Sequence, residues 1–245
     1  MQACQAPPST VHHHGPFAFL YDPSTLTAMG SIGNVLWIAT YILIIRVGFK
    51  HRSYGVPLVA LCLNFTWELY YTFLSSPRCV DGTLDRATLA AFVVWLLLDS
   101  IILFQLLRYG RDRQVIPEIR RFFYPVVLLT LLLAFLGFVT TNRPLGELAG
   151  VRDSGTTAAY TINFVMSVLF VFFYFGRRDL NGISYWAAWT KLLATGVISL
   201  ANVLSYDGDY RGRQFYLLLF VGITLFDSCY VYLVHRARQG RPLTS

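Results

Sequence analysis

Seven stretches of about 20 mostly apolar residues recur along this chain of 245 residues, each long enough to cross the roughly 30 Å hydrocarbon core of a bilayer as a helix. They fall at about 26–48, 55–75, 87–107, 122–141, 158–176, 185–205 and 214–235. In lipid every backbone N–H and C=O must be satisfied inside its own segment, so such a chain has few options other than a helical bundle. The predicted fold is therefore an all-α, multi-pass membrane protein of about seven helices. A polar tail (1–25) precedes one transmembrane domain (26–236), and a short basic tail (237–245) follows it. Composition agrees, since 55% of residues are hydrophobic and only 13% charged, half the charge of a soluble domain.

Basic residues set the predicted orientation. One set of connections holds Arg46, Lys50, Arg52, Arg108, Arg111, Arg113, Arg120, Arg121, Arg177, Arg178, Arg236, Arg238 and Arg241. The opposite set holds Arg78, Arg86, Arg143, Arg152, Arg211 and Arg213, in loops that also carry acids. The richer set is cytoplasmic by the positive-inside rule, leaving the N-terminus outside and the C-terminus inside. The net charge of +7 is then a mark of topology, and a nucleic-acid partner is not expected. The N-terminus, with His12, His13 and His14, lacks the basic start and apolar run of a signal peptide and reads as a flexible polar tail. Among the four cysteines, Cys62 and Cys229 lie in apolar segments, Cys4 and Cys79 are compatible with a disulfide, and none has metal-ligand spacing. Arginine dominates the basic residues, with only Lys50 and Lys191 as lysines. That skew points to a GC-rich, bacterial genome and hence a bacterial plasma membrane.

The segments echo one another. Asp99-Ser100 and Asp227-Ser228, Ser53-Tyr54 and Ser184-Tyr185, and Asn34 and Asn163 are each separated by about 130 residues. A near-constant offset is the mark of a duplicated three-helix unit, giving a 3+1+3 layout with the featureless segment 122–141 as linker.

Four ionisable side chains fall at membrane depth: Glu68, Asp99, Lys191 and Asp227. A charge there costs at least ~2.5–3.5 kcal/mol on insertion scales, which makes each a candidate for function. Asp99 and Lys191 can pair, or Lys191 can snorkel to the interface. Glu68 and Asp227 are then left without a cation, and a carboxyl buried without one is kept as the neutral acid, a proton donor. Helical spacing puts Asn64, Tyr71 and Thr72 on the face of Glu68. Trp67 and Tyr70 adjoin it, and Tyr230 follows Asp227. Aromatic faces stabilise cations by about 0.5–2 kcal/mol each, so an acid ringed by them suits carbocation chemistry. For Tyr232 an interfacial or lipid-facing position is expected instead. The stripe Lys191, Thr195, Ser199 and Asn202 shares one helix face.

The pair Trp67-Glu68 with Asn64 a turn before, and the lone acid Asp227 within FDSCYVY, resemble the small integral-membrane terpene cyclases of fungal meroterpenoid and indole-diterpene pathways. Bacterial relatives in indole-alkaloid (drimentine-type) pathways are more similar still. The resemblance implies protonation-initiated cyclisation, through carbocations, of a farnesyl-type chain or its terminal epoxide on an aromatic, indole or cyclodipeptide head group. It implies no metal or other cofactor, with Glu68 and Asp227 as the essential acids converging on one apolar chamber. Asn64, Trp67, Tyr71, Tyr230, Asn34, Asn163 and Asp99 are the candidate substrate-binding residues; Asp99 and Lys191 lie outside the family pattern. Rival readings are a proton-coupled 3+1+3 transporter, a retinal protein and a Mg-dependent prenyltransferase. The transporter lacks its Pro-Gln loop motif, and the retinal protein lacks a lysine in the last helix. The prenyltransferase would have to use Asp81/Asp85 and Asp207/Asp209, acids that commonly make turns.

Overall fold

A computed structural model describes residues 20, 22–78, 83–114, 116–148, 154–177, 180–205 and 210–240. Cys4, Cys79, His12–His14, Asp81, Asp207 and Asp209 lie outside the described residues, and with them the disulfide and three of the four acids considered for metal binding. Eight α-helices make up nearly everything described: α1 (Pro23–His51), α2 (Leu58–Phe73), α3 (Arg86–Tyr109), the short α4 (Pro117–Arg121), α5 (Phe123–Leu148), α6 (Ser154–Phe175), α7 (Tyr185–Ser205) and α8 (Tyr210–Arg238).

Six of these helices, α1, α3, α5, α6, α7 and α8, are long and apolar enough to cross a membrane. The seventh expected span is the exception. Helix α2 has 16 residues, about 24 Å at 1.5 Å per residue, and begins at Leu58 rather than near 55. The residues before it, Ser53–Pro57, are all buried, so the chain enters the bundle as an irregular segment before the helix starts. Helix α2 then packs against α3, α5 and α6, and half its residues are buried, Glu68 among them. It is the interior helix, and interior position rather than full length keeps it at membrane depth.

The lipid-facing surface is easy to read on α5. Phe123, Val127, Ala134 and Phe138 are buried at helical spacing, while Leu128, Leu129, Leu132, Leu133 and Leu136 are exposed. A continuous apolar face of this kind is what a bilayer covers. Tyr232, expected on the outside, is half exposed.

Small residues let α1 and α7 approach closely. A Cβ on Gly33 would overlap Ile198 and press on the Ala194 carbonyl, and Thr40 Oγ1 donates to Thr190 Oγ1 at 2.8 Å. At the arginine-rich end, the connection before α2 is clamped to the connection before α7. The Arg177 guanidinium donates to Ser53 Oγ (2.8 Å), the Asn181 carbonyl (2.7 Å) and the Tyr54 carbonyl (2.6 Å). It also lies 4.4 and 4.3 Å from the rings of Tyr54 and Phe173. The two echoing Ser-Tyr pairs differ in use: Ser184 Oγ caps α7 by accepting from Ala187 N, whereas Ser53 serves the clamp.

Asp85, one of the acids considered for metal binding, caps α3. Its carboxylate accepts from the backbone N–H groups of Ala87 and Thr88 and from Thr88 Oγ1. The Thr88 hydroxyl holds this carboxyl below the usual range, so the cap is complete above the unfolded-state value and is lost as pH falls through the folded-state one.

Gly182 has φ +89°, and a Cβ there would sit 2.7 Å from the Tyr54 carbonyl oxygen. Gly182→Ala should therefore lower stability by at least about 1–2 kcal/mol, seen as an earlier thermal transition in detergent. Gly30→Ala, with open space around it, is the control and should leave the transition unchanged or raise it slightly.

Candidate active site

Three helices contribute four residues to a buried polar knot. Tyr41 comes from α1, Asn64 and Glu68 from one face of α2, and Asp99 from α3. Glu68 and Asp99 are each 1% exposed. Tyr41 Oη donates to Glu68 Oε1 at 3.0 Å. The Asn64 amide nitrogen lies 2.9 Å from Glu68 Oε1, 2.9 Å from Asp99 Oδ2 and 2.7 Å from Tyr41 Oη. Its two hydrogens serve two of these three acceptors at once. Glu68 and Asp99 thus share the one Asn64 nitrogen between them. Glu68 Oε2 has no hydrogen-bond partner among the described residues.

The second pair of ionisable groups is separate. Lys191 Nζ donates to Asp227 Oδ1 at 2.6 Å and Oδ2 at 2.7 Å, and to Ser167 Oγ at 2.8 Å. All three residues are buried. Two expectations are corrected here. Lys191 pairs with Asp227 and not with Asp99, because α7 and α8 pack directly on one another. Asp227, expected to lack a cation, has one. The acid without a cation beside Glu68 is Asp99.

A cavity of about 1130 Å³ runs down the bundle between α1, α2, α3, α6 and α7. It extends from the end where α2 finishes, at Leu74–Arg78 and Asp85, to the level of Tyr41, Asn64 and Glu68. One wall, from α2 and α3, is aromatic, with Trp67, Tyr71, Phe92 and Trp95. The facing wall carries Asn163, Thr195, Asn202 and Tyr160 from α6 and α7, with Asn34 from α1. The wall holds itself in place: Trp67 Nε1 donates to the Gly155 carbonyl (3.1 Å), Asn163 Nδ2 to Thr195 Oγ1 (3.3 Å) and Asn202 Nδ2 to Tyr160 Oη (2.6 Å). Asn163 Oδ1 and Trp95 Nε1 have no partner among the described residues.

Of the nine candidate residues, Glu68, Asn64, Trp67, Tyr71, Asn34 and Asn163 line this chamber. Asp99 lies behind Glu68, on a separate gap of about 20 Å³ that Lys191 also lines. Asp227 and Tyr230 line neither, and the expectation that Glu68 and Asp227 converge on one chamber is not met. Tyr230 packs on Phe170, ring centroids 5.0 Å apart. Sequence reasoning missed Tyr41 and Trp37, although both follow Asn34 at helical spacing (34, 37, 41) and so share its face. It also missed the aromatic face of α3, where Phe92, Trp95 and Asp99 recur at three- and four-residue steps.

A chamber aromatic on one wall and amide-bearing on the other, with a buried carboxyl at its deep end, lies inside a multi-pass helical membrane protein. The sequence profile of the Pyr4-like transmembrane terpene cyclases matches residues 12–240, and the chain belongs to this family. It is similar to terpene cyclase macJ of Penicillium terrestre, 33% identical over 97 residues, which are 40% of this chain and 35% of that protein. Pyr4-family terpene cyclase mfmH of Annulohypoxylon moriforme is 28% identical over 180 residues, 71% of this chain and 68% of the relative. Terpene cyclase dpchB of Colletotrichum higginsianum is 23% identical over 222 residues, 86% and 87% of the two chains. The matched stretch thus spans about a third of macJ and most of dpchB. No solved structure matches. These relatives are fungal, so they give no support to a bacterial plasma membrane; what stands is a multi-pass integral membrane protein.

Breaking the Lys191–Asp227 pair from one side strands a buried charge. Asp227→Asn should cost about 3–5 kcal/mol, measured as a large fall in thermal stability in detergent. The double variant Asp227→Leu/Lys191→Met should regain most of it. A single variant as stable as the wild type would show that the pair does not hold the fold.

Proposed function

We propose that this protein is a membrane-bound terpene cyclase in which Glu68 protonates the far end of a prenyl chain attached to an aromatic or other cyclic head group. The observation that carries the reading is a buried carboxyl, with one oxygen unpartnered, at the deep end of a chamber whose walls are aromatic on one side and amide-bearing on the other. The chamber exceeds the usual size of small-molecule pockets and can hold a chain of farnesyl length with its head group.

The chain lies along Trp67, Tyr71, Phe92 and Trp95, with its terminus toward Glu68. Asn34 and Asn163 face the head group, and the unpartnered Asn163 Oδ1 and Trp95 Nε1 offer it an acceptor and a donor. The O–H bond of Glu68 breaks as a C–H bond forms at the terminal alkene carbon, or an O–H bond at an epoxide oxygen. A carboxylate and a substrate cation result. Ring closures move the cation along the chain past aromatic faces that stabilise it. The last cation, formed away from Glu68, loses a proton to solvent toward the open end of the chamber, and the Glu68 carboxylate regains one from solvent, so the product is an isomer of the substrate. Water exclusion protects the cations from capture, and folding of the chain by the walls is a positioning effect. This is Brønsted-acid chemistry in which no step calls for a metal. Asp227 serves the reaction at one remove, by neutralising Lys191 beneath the chamber.

The same reading includes the N-terminus outside and the C-terminus inside, from the arginine distribution. It includes a 3+1+3 duplication as well. Helix α1 packs on α7 and α3 as α6 packs on α2 and α8, and α2 meets α3 as α7 meets α8, the contacts that a repeat would generate. A 3+1+3 transporter shares that layout, but an aromatic chamber ending on a carboxyl without a cation favours the enzyme.

Membranes holding the protein, supplied with a farnesylated indole or its terminal epoxide in D₂O, should yield a cyclised product of the substrate's formula that carries deuterium at the protonated terminus. Glu68→Gln should lower the rate at least ~100-fold, the range for a general acid. Uptake of the compound into vesicles without any isomer would favour the transporter.

A further inference from the structure

We propose that Asp99 is a positioning residue that keeps the transferable proton on Glu68, on the oxygen that faces no protein partner. The inference rests on the cyclase reading and adds to it a second carboxyl that substrate never touches.

The two oxygens of Glu68 are treated differently. Oε1 lies among the donors: Tyr41 Oη at 3.0 Å and Asn64 Nδ2 at 2.9 Å. Oε2 has no partner among the described residues. An oxygen that accepts hydrogen bonds is the carbonyl oxygen of a neutral acid, which leaves Oε2 as the site of the proton. After transfer, the charge is left on a carboxylate whose other oxygen already accepts from Tyr41 and Asn64. The acid is thus held neutral before the step and stabilised after it.

Asp99 enforces this in two ways. Its Oδ2 accepts from Asn64 Nδ2 at 2.9 Å. An acceptor on each side requires the NH₂ of the Asn64 amide, rather than its oxygen, to face the carboxyls. Both carboxyls lie 2.9 Å from the one Asn64 nitrogen, and two carboxylates held that close together out of water cannot both be ionised. Charge on Asp99 therefore opposes loss of the proton from Glu68. The remaining groups around the pair leave this intact. From α1 comes only the Tyr41 phenol. From α2 comes the buried Cys62 thiol. Across the 20 Å³ gap, Lys191 of α7 is committed to Asp227 of α8. Asp99 does not line the chamber, so it acts through Glu68 alone.

The test uses the full-length protein in detergent or liposomes, with Asp99→Asn as the main variant. The amide matches the carboxyl in shape and retains an oxygen for Asn64, but cannot carry the opposing charge. The alkaline limb of the kcat/KM–pH profile should move to lower pH by about one unit or more, with KM changed less than kcat. Asp99→Glu, which restores a carboxyl, should bring the limb back toward the wild-type position. A profile for Asp99→Asn that superimposes on the wild type, or a loss confined to KM, overturns the proposal.

Infrared titration of the same proteins needs no substrate. The protonated-carboxyl band assigned to Glu68 by its loss in Glu68→Gln should shift in frequency in Asp99→Asn and disappear at lower pH than in the wild type. An unchanged Glu68 band overturns the proposal whether or not any substrate is turned over. A band that responds as stated in a wild-type protein that cyclises none of the prenylated substrates would leave the carboxyl pair standing and remove the cyclase reading instead.

Discussion

A carboxyl at membrane depth needs hydrogen bonds that water would otherwise supply, and the way Glu68 obtains them ties the front of this bundle together. Its partners come from α1 and from its own helix, and through Asn64 the network reaches α3. Tyr41 and Asn64 could not reach Oε1 unless α1 and α2 stood at one fixed separation and rotation. The knot is thus a structural constraint as much as a chemical feature. An unmet buried polar group costs about 1–3 kcal/mol or more, and Glu68 Oε2 is one of the buried atoms that stands without a partner among the described residues.

The two Asp-Ser motifs show how one pattern serves two purposes. Asp99 shares its surroundings with another acid, whereas Asp227 is neutralised by Lys191 and braced by Ser167. A buried ion pair of this kind adds little net stability, because desolvation offsets most of the attraction, but it is costly to break from one side. In the cyclase proposed above, its value lies in consuming the one cation at this depth among the described residues, so that none is left to draw the proton from the carboxyl pair. Loss of activity on replacing Asp227 would then reflect a stranded lysine and not a missing proton donor.

Much of the architecture was legible before any coordinates. Seven apolar runs predicted a helical membrane protein, and the segment 185–205 matches α7 residue for residue. Helix α2 was harder, because hydropathy does not distinguish a helix from a buried irregular entry such as Ser53–Pro57. At the site, Asn64 and Tyr71 were readable from helical spacing to Glu68, Trp67 from its place beside it, and Asn34 and Asn163 from the offset between the two halves. Which acid met which cation was not, since ion pairing between helices depends on rotation about each axis, and a few tens of degrees exchange Asp99 for Asp227 as the partner of Lys191. Tyr41 was overlooked for a related reason: tyrosines abound in the chain, and only three-dimensional packing singles out the one whose hydroxyl points at a carboxyl.

The proposed cyclase requires a prenyl terminus to come to rest at the deep end of the chamber, against Glu68. Photolabelling with a farnesylated indole whose terminal carbons carry a diazirine measures this directly. After irradiation and proteolysis, mass spectrometry should find the label on Trp37, Tyr41, Asn64, Trp67 or Met166, the residues around the chamber floor, and an excess of unlabelled substrate should suppress it. Label confined to the exposed leucines of α5, or to Leu74–Arg78 at the far end, would contradict it.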